Sequence, residues 1–433
     1  VKPRFAITSD GRWLAREFGD DIARASLAQL EIRVDDRYLT KLEDTLALAV
    51  RNFANLSAYD LAFWLAANWW RLRWEPERSG TDWRMSHSFG GVGHGYMWPD
   101  VTIISDGERV VLASRATSGA EWEPVRYLEN RDFSLSATEF EFAVDAFVEE
   151  VLGRIAVCRV SKSDLRELWS ELRGERLDLG LSTLRKLEAL GGYDPGEAPK
   201  EFVDSLRARA ATDGRAAIDE IAAGFGSEAV STVDTIDHAL AANGIEFGNE
   251  SIHKLAQARA TWQTAGAPHE RAAEAAHFAR KLWNLDPAGP VTDGILGEII
   301  GADPRLLREP GNIPIPAARR GHAMRDPWRG LLRSRYRQGR RFELCRLIAA
   351  AAEVAEGDRL LPATTAKTSR QKFQRAFAQE FLCPLDALIK SLGTSRPGDD
   401  EIQAAASHFQ VSPLLVRTTL VTNKILPHDE LVL

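Results

Sequence analysis

One capped helix constrains this chain more than any other feature. Ser136-Ala137-Thr138-Glu139 is a complete capping box: the serine takes an amide of the first turn, and the glutamate returns to the serine's own amide. Behind it Phe140, Ala143, Val144, Phe147, Val148, Val151 and Ile155 recur at helical spacing. That predicts a long amphipathic helix whose wide apolar face must be covered by other elements. Candidates lie upstream. Residues 101–104 and 109–112 flank Asp106-Gly107, a two-residue hairpin signal, and residues 27–34 alternate imperfectly as a strand. Ser57-Ala58-Tyr59-Asp60 opens another helix, with Leu61, Trp64, Leu65 and Trp69 close to one face as far as about Leu72, and Pro76 stops it. Residues 1–158 therefore read as a mixed α/β domain closed by the long helix.

Residues 159–265 read as almost all helix. Ser163 or Asp164 caps a helix containing Leu165, Leu168, Trp169 and Leu172. Leu181, Leu184, Leu187 and Leu190 make another, ended by Gly191-Gly192. Residues 202–210 and 216–223 continue the pattern, so the expectation is a helical connector. The remainder, 266–433, reads as helices over 271–282, 293–300, 341–354 and 368–382. A strand with alternating arginines is expected over 331–336, and a helical pair ends near Val421. The fold class is thus α+β and multidomain.

Composition narrows the setting. A chain of 433 residues with 44% hydrophobic residues has material for two or three cores. Its net charge of −7 excludes a surface coated in basic charge, though not a local basic patch. Cys158, Cys345 and Cys383 are too scattered for a disulfide framework or a thiolate zinc site. No run approaches a membrane span, and residues 1–6 lack a signal-peptide core, so a cytoplasmic protein without membrane contact is expected.

The last segment carries a family resemblance through four landmarks in order. Pro290-Val291-Thr292-Asp293-Gly294-Ile295-Leu296-Gly297-Glu298-Ile299-Ile300-Gly301 follows a helix. Next come Arg340-Arg341-Phe342-Glu343-Leu344-Cys345 and Phe377-Ala378-Gln379-Glu380-Phe381-Leu382-Cys383-Pro384. The last is residues 405–420, with Phe409, Val411-Ser412, Val416 and Leu420. This segment resembles the ImmA/IrrE zinc metallopeptidases, bacterial proteases that cleave or relieve helix-turn-helix repressors. The resemblance implies a zincin-like domain ending in a helix-turn-helix-like element.

The departures from that family decide the chemistry. A zincin needs two neutral histidines at i and i+4, a glutamate between them as general base, and a third ligand from a later helix. The matching positions here hold Arg346, Leu347, Ala350 and, for the third ligand, Gln371. A guanidinium stays protonated and cannot ligate zinc, and Leu and Ala have no lone pair to offer. His322 and His408 cannot restore the i, i+4 pair. No metal, cofactor or catalytic residue is therefore expected. A plainer account makes Phe342, Cys345, Ile348 and Ala349 ordinary core positions of a helix that never was catalytic.

The expectation is a non-catalytic regulatory protein whose old substrate groove binds a protein partner. By resemblance that partner is a helix-turn-helix repressor in a stress, phage or mobile-element response. A second reading is an active metalloendopeptidase with ligands recruited from elsewhere. A third is a DNA-associated regulator using the arginine run between 319 and 346, with Arg329, Arg333, Arg335, Tyr336, Arg337, Arg340 and Arg341 as candidates and Arg417 on the last helix. Solvated or acid-paired arginines are the bland alternative. The closing helical pair has helix-turn-helix spacing, and a DNA-reading second helix would expose Leu414, Arg417, Thr418 and Thr419.

Three further features bear on function. Residues 86–95 form a Gly-rich loop with His87 and His94 but lack a P-loop ending, so a plain loop is favoured over a phosphate or metal site. Trp98-Pro99-Asp100 is weakly similar to the PD-(D/E)xK nucleases, but residues 112–115 hold no acid-x-Lys. Finally, 12 Trp stand against 6 Tyr, and Trp64, Trp69, Trp70, Trp74, Trp83, Trp98 and Trp122 crowd one stretch. A thick aromatic core clamped by the hairpin is one account. A recognition surface of Trp69, Trp70, Arg71, Arg73 and Trp74 is the other.

Overall fold

In the computed structural model, which describes residues 3–15, 19–118, 123–160, 163–248, 250–261, 266–307, 315–319, 327–353, 358–394 and 396–427, the capping box at Ser136 forms as its sequence requires. The Ser136 amide donates to Glu139 Oε2 at 2.7 Å, and the Glu139 amide donates to Ser136 Oγ at 3.2 Å. The helix runs from Ala137 to Val157 and buries Phe140, Ala143, Val144, Phe147, Val148, Val151, Leu152 and Ile155. Each such side chain removed from water contributes about 1.5–3 kcal/mol for a Val, Leu, Ile or Phe. The protein is mixed α+β and divides into two compact units, Val1–Val203 and Asp204–Leu433, each with its own apolar core. Among the described residues no helix is long and apolar enough to cross a membrane.

The first unit contains β1 (Phe5–Thr8), α1 (Asp21–Ser26), β2 (Leu27–Val34), β3 (Arg37–Tyr38), β4 (Leu42–Asp44), β5 (Ala49–Arg51), β6 (Ala54–Ser57), α2 (Ala58–Ala67), α3 (Trp69–Trp74), α4 (Thr81–His87), β7 (Asp100–Ser105), β8 (Arg109–Arg115), β9 (Val125–Tyr127), β10 (Arg131–Ser136), α5 (Ala137–Val157), α6 (Asp164–Leu177) and α7 (Leu179–Gly191). Three small antiparallel sheets form: β1-β2-β3 with β6 on β2, β10-β8-β7, and β5-β4-β9. The hairpin turn sits one residue later than its sequence signal. Asp106 Oδ1 accepts the amides of Glu108 and Arg109, and Gly107 takes a φ of +93°, so Asp106 braces the turn from its first corner.

The expected single helix after Ser57 is two helices. Ser57 caps α2 as predicted, but the helix breaks at Asn68, whose side-chain amide donates to the Trp64 carbonyl at 2.9 Å. The unit boundary also differs from the expected division at 158/159. Helices α6 and α7 share the first unit's core through Leu165, Trp169, Leu172 and Ala189. The residues expected to form one connector are thus divided between the two units.

Helix α8 (Lys200–Asp213) carries the boundary. The second unit continues with α9 (Arg215–Phe225), α10 (Ala229–Asn243), β11 (Ile245–Phe247), α11 (Glu250–Gln257), α12 (Pro268–Leu282), α13 (Asp293–Ile300), β12 (Ala317–Arg319), β13 (Trp328–Leu331), α14 (Arg337–Ala352), β14 (Leu360–Pro362), α15 (Ser369–Leu382), α16 (Leu385–Leu392), α17 (Asp399–Phe409) and α18 (Pro413–Thr422). Its sheet is antiparallel in the order β11-β13-β12-β14. Gly330 is required there: a Cβ at that position would lie 2.2 Å from the Phe247 ring. The expected arginine strand over 331–336 is not one. The strand ends at Leu331, and residues 332–336 bend into α14. Helix α14 is buried on every side from Glu343 to Ala352, as befits a helix through the middle of a core.

Candidate functional site

The positions that the metallopeptidase resemblance singles out lie on α14 and α15. Thr368 caps α15 by accepting the Gln371 amide, which fixes Gln371 in the first turn facing α14. Arg346 projects from α14 toward it. Its Nη2 donates to Gln371 Oε1 at 2.7 Å and to the Thr364 carbonyl at 2.6 Å. Gln371 Nε2 and Gln374 Nε2 both donate to the Pro362 carbonyl, at 3.2 and 3.3 Å. One guanidinium and two carboxamides therefore tie α14, α15 and the exit of β14 together. Leu347, Ala350 and Gln371 are all but fully enclosed.

Helix α9 contributes to this enclosure. Glu220 is buried and accepts from Thr368 Oγ1 at 2.7 Å, and Gly224 passes so close to Thr364 that a Cβ would meet it at 3.0 Å. Burial pushes the Glu220 carboxyl up, against hydrogen bonds from Thr368 and Gln371 that pull it down. Glu343, beside Arg346 on the same helix, is likewise pushed up by burial, although it accepts the amides of Arg333 and Ser334 at 2.7 and 3.0 Å. Burial first, then the charge of Arg375, lowers the pKa of Arg346 to about 9, which leaves it charged at neutral pH. Instead of the expected open groove, Arg346, Leu347, Ala350 and Gln371 lie in a closed polar cluster, because α9 and the segment after β14 cover them.

A zincin metal does not fit here. Arg346 brings a second cation where a ligand is needed, Leu347 and Ala350 bring hydrocarbon, and Gln371 already spends its oxygen on Arg346. Among the described residues, no three His, Cys, Asp or Glu side chains gather as a metal site. His408 is exposed on α17, and His322 lies outside the described residues. Cys345 and Cys383 are buried thiols pushed up to about 12 by burial, as inert structural thiols are.

The arginine run divides sharply. Arg341 is fully enclosed and donates to Asp293 Oδ1, to the Val291 carbonyl and to the Gln410 carbonyl. Arg340 is buried and donates to the carbonyls of Leu307, Ser334 and Arg335. Arg337 pairs with Asp293 at 2.6 Å and reaches Gln410 Oε1 at 2.8 Å. Arg319 pairs with Asp213 and Asp237. As a phosphate-tracking row these four are corrected: their charges are committed to acids and carbonyls inside the unit. Arg329, Arg333, Arg335 and Tyr336 are exposed, and Arg320 and Arg325 lie outside the described residues.

The closing pair α17–α18 has the expected core of Ala405, Phe409, Val411 and Val416, with Ser412 capping α18 and Pro413 at its first position. The recognition-helix reading is corrected in two places. Thr419 is fully buried and donates to the Leu415 carbonyl, and Arg417 is tied to Asp399. The turn residue Gln410 serves as the dock for Arg337 and Arg341, so this element packs on α14.

The tryptophan-rich segment of the first unit is also corrected, in favour of the aromatic core. Trp69 and Trp70 are 4% and 3% exposed. Trp70 Nε1 donates to Glu175 at 2.8 Å, and the Arg176 guanidinium lies 4.5 Å from the Trp69 ring, so α6 covers both indoles. Arg71 pairs with Glu75 and Asp194, and Arg73 pairs with Glu141 and donates to the Gly107 carbonyl at the hairpin. Trp74 is half-buried beneath Arg73 and Lys186. Trp122 lies outside the described residues. In the Gly-rich loop, His87 is fully buried, stacked on Trp83 and bonded through Nδ1 to the Trp83 carbonyl at 2.8 Å, while His94 is exposed.

Glu220, Thr364, Thr368, Gln374 and Asp293 belong to these clusters, although sequence reasoning does not pick them out as site residues. Glu220 carries a signal: it shares a helical face with Ala217, Ile221 and Gly224, so an acid on a buried stripe is readable. Compared with protein-family models, curated proteins and solved structures, the protein matches none.

Proposed function

We propose that this protein is a non-catalytic interaction protein whose second unit is built on an ImmA/IrrE metallopeptidase-like frame. Its partner is a helix-turn-helix regulator of transcription. The observation that carries this reading is the hydrogen bond between Arg346 and Gln371 inside a closed cluster. A hydrolytic site needs a bound water, a base and a path for the peptide. The two helices here supply a guanidinium, a carboxamide and two apolar side chains, all enclosed. The partner therefore meets the exposed rim around Arg333, Arg335 and Tyr336 rather than lying in a groove.

The test is co-expression with the helix-turn-helix regulator encoded nearest to this protein, followed by size-exclusion chromatography. The reading predicts one complex containing both proteins at full length. Elution of the two as separate species would contradict it.

A further inference from the structure

A polar cleft opens in the first unit where the end of one small sheet meets the turn of another. Lys41 directly precedes β4, Asn52 directly follows β5, and Leu128 and Glu129 follow β9. Because β4 runs antiparallel to both of its neighbours, these residues come to the same end of the sheet β5-β4-β9. Asp36, Arg37 and Tyr38, from β3 and the turn before it, complete the lining of a cleft of about 360 Å³. That is the smaller end of the range for small-molecule sites. Its frame is fixed by buried and backbone hydrogen bonds. The Thr40 hydroxyl accepts the Ile32 amide at 3.0 Å and donates to the Asn52 carbonyl at 2.8 Å. The Lys41 amide donates to the Tyr38 carbonyl, and the Leu128 amide donates to the Lys41 carbonyl at 2.9 Å.

The side chains set the cleft apart. Two cations, Arg37 and Lys41, and two acids, Asp36 and Glu129, line it, yet none of the four forms an ion pair among the described residues. The Tyr38 hydroxyl and the Asn52 carboxamide have no hydrogen-bond partner there either. Charges elsewhere on the same sheet do pair: Arg51 with Asp44 at 3.2 Å and Arg126 with Glu43 at 2.9 Å. Leu128, 41% exposed, adds apolar surface. Opposite charges held apart in one cleft, with their donors and acceptors unspent, complement a small molecule that carries both charges.

We propose that this cleft binds a free α-amino acid with an aliphatic side chain. Arg37 and Lys41 take its carboxylate, Asp36 and Glu129 take its ammonium group, and Leu128 meets its side chain. The site belongs to the first unit and stands independently of the partner reading for the second. Ligands of one sign fit less well. A phosphate would face Asp36 and Glu129, and a polyamine would face Arg37 and Lys41, so like charges repel in either case.

The experiment is isothermal titration calorimetry on the full-length protein with millimolar L-leucine, N-acetyl-L-leucine, L-leucinamide, glycine and inorganic phosphate. The expected result is saturable binding of L-leucine. The acetylated and amidated forms, which each lack one charge, should bind about tenfold more weakly or worse, the scale of one charge-assisted hydrogen bond. Arg37→Gln and Glu129→Gln should each lower the leucine affinity by a similar factor. Arg84→Gln, an exposed arginine elsewhere in the unit, should leave it unchanged. The melting temperature of each variant checks that the fold is kept. Absence of leucine binding overturns the site, as does binding unaltered in both Arg37→Gln and Glu129→Gln. N-acetyl-L-leucine or phosphate binding as tightly as L-leucine overturns the zwitterion, and glycine binding as tightly overturns the aliphatic side chain.

Discussion

Arg346 and Gln371 meet across two helices: Nη2 of the first donates to Oε1 of the second at 2.7 Å, and Gln371 is fully enclosed. Here a cation donates a hydrogen bond to a neutral amide oxygen. Removing the amide leaves the guanidinium one acceptor short. Gln371→Leu is expected to cost about 1–3 kcal/mol, the penalty of a buried donor without a partner, read from the midpoint of urea unfolding.

The second unit holds another buried charge, and it is paired. Arg341 is fully enclosed against Asp293, and Arg337 is a second arginine on the same carboxylate. Burial alone would raise the Asp293 carboxyl, but hydrogen bonds from Arg337 and Arg341 outweigh it and hold the carboxyl below the usual range. Its contribution is therefore full above the unfolded carboxylate value and is lost as pH falls through the lower folded value. Asp293→Ala is expected to destabilise the unit by about 3–5 kcal/mol at neutral pH, the cost of stranding a buried guanidinium. The gap should narrow in acid, followed by circular dichroism.

His87 gives the first unit a dependence of its own. Burial lowers its pKa to about 4, so the fold holds the neutral ring with Nδ1–H on the Trp83 carbonyl. A base lowered in the fold contributes fully above its unfolded value, and that stability is lost as pH falls from about 6.5 to about 4. Glu75, 3.8 Å from His87 Nε2, is pushed up by burial and works in the opposite direction, while Arg71 and Arg78 disfavour the charged ring. His87→Asn keeps a donor near the Nδ1 position without the titration. The variant should show a flatter melting-temperature profile across that window than the parent.

The tryptophans predict where the protein is divisible. Because α6 covers Trp69 and Trp70, a truncation ending at residue 158 should expose both indoles, bind a hydrophobic dye strongly and aggregate. A truncation ending at residue 203 should stay monomeric with a cooperative melt. Equal behaviour of the two would contradict the boundary at Val203–Asp204.

Capped, periodic elements were legible in the sequence because their signals are local. The box at Ser136, the cap at Ser57, the cap at Ser412 and the Gly192 stop all follow from side chains within four residues of one another. What escaped was decided at a distance. Trp69 and Trp70 point about 100° apart on one helix, so a single face cannot hide both. The cover from α6, which packs on both indoles, resolves this, and it is not a local property. Alternating arginines suggested a strand over 331–336, yet Glu343 binds the amides of Arg333 and Ser334 and bends that segment into a helix start. The positions Arg346 and Gln371 could be paired only through the family resemblance. That Glu220 would close over them depends on α9, more than a hundred residues away in the sequence.

The most direct measurement is the intact mass of the regulator after incubation with this protein and excess zinc. The account predicts an unchanged full-length mass with or without a chelator, because no side chain at Arg346, Leu347, Ala350 or Gln371 holds a metal or a base. Fragments of the regulator that form with zinc and vanish with the chelator would contradict it.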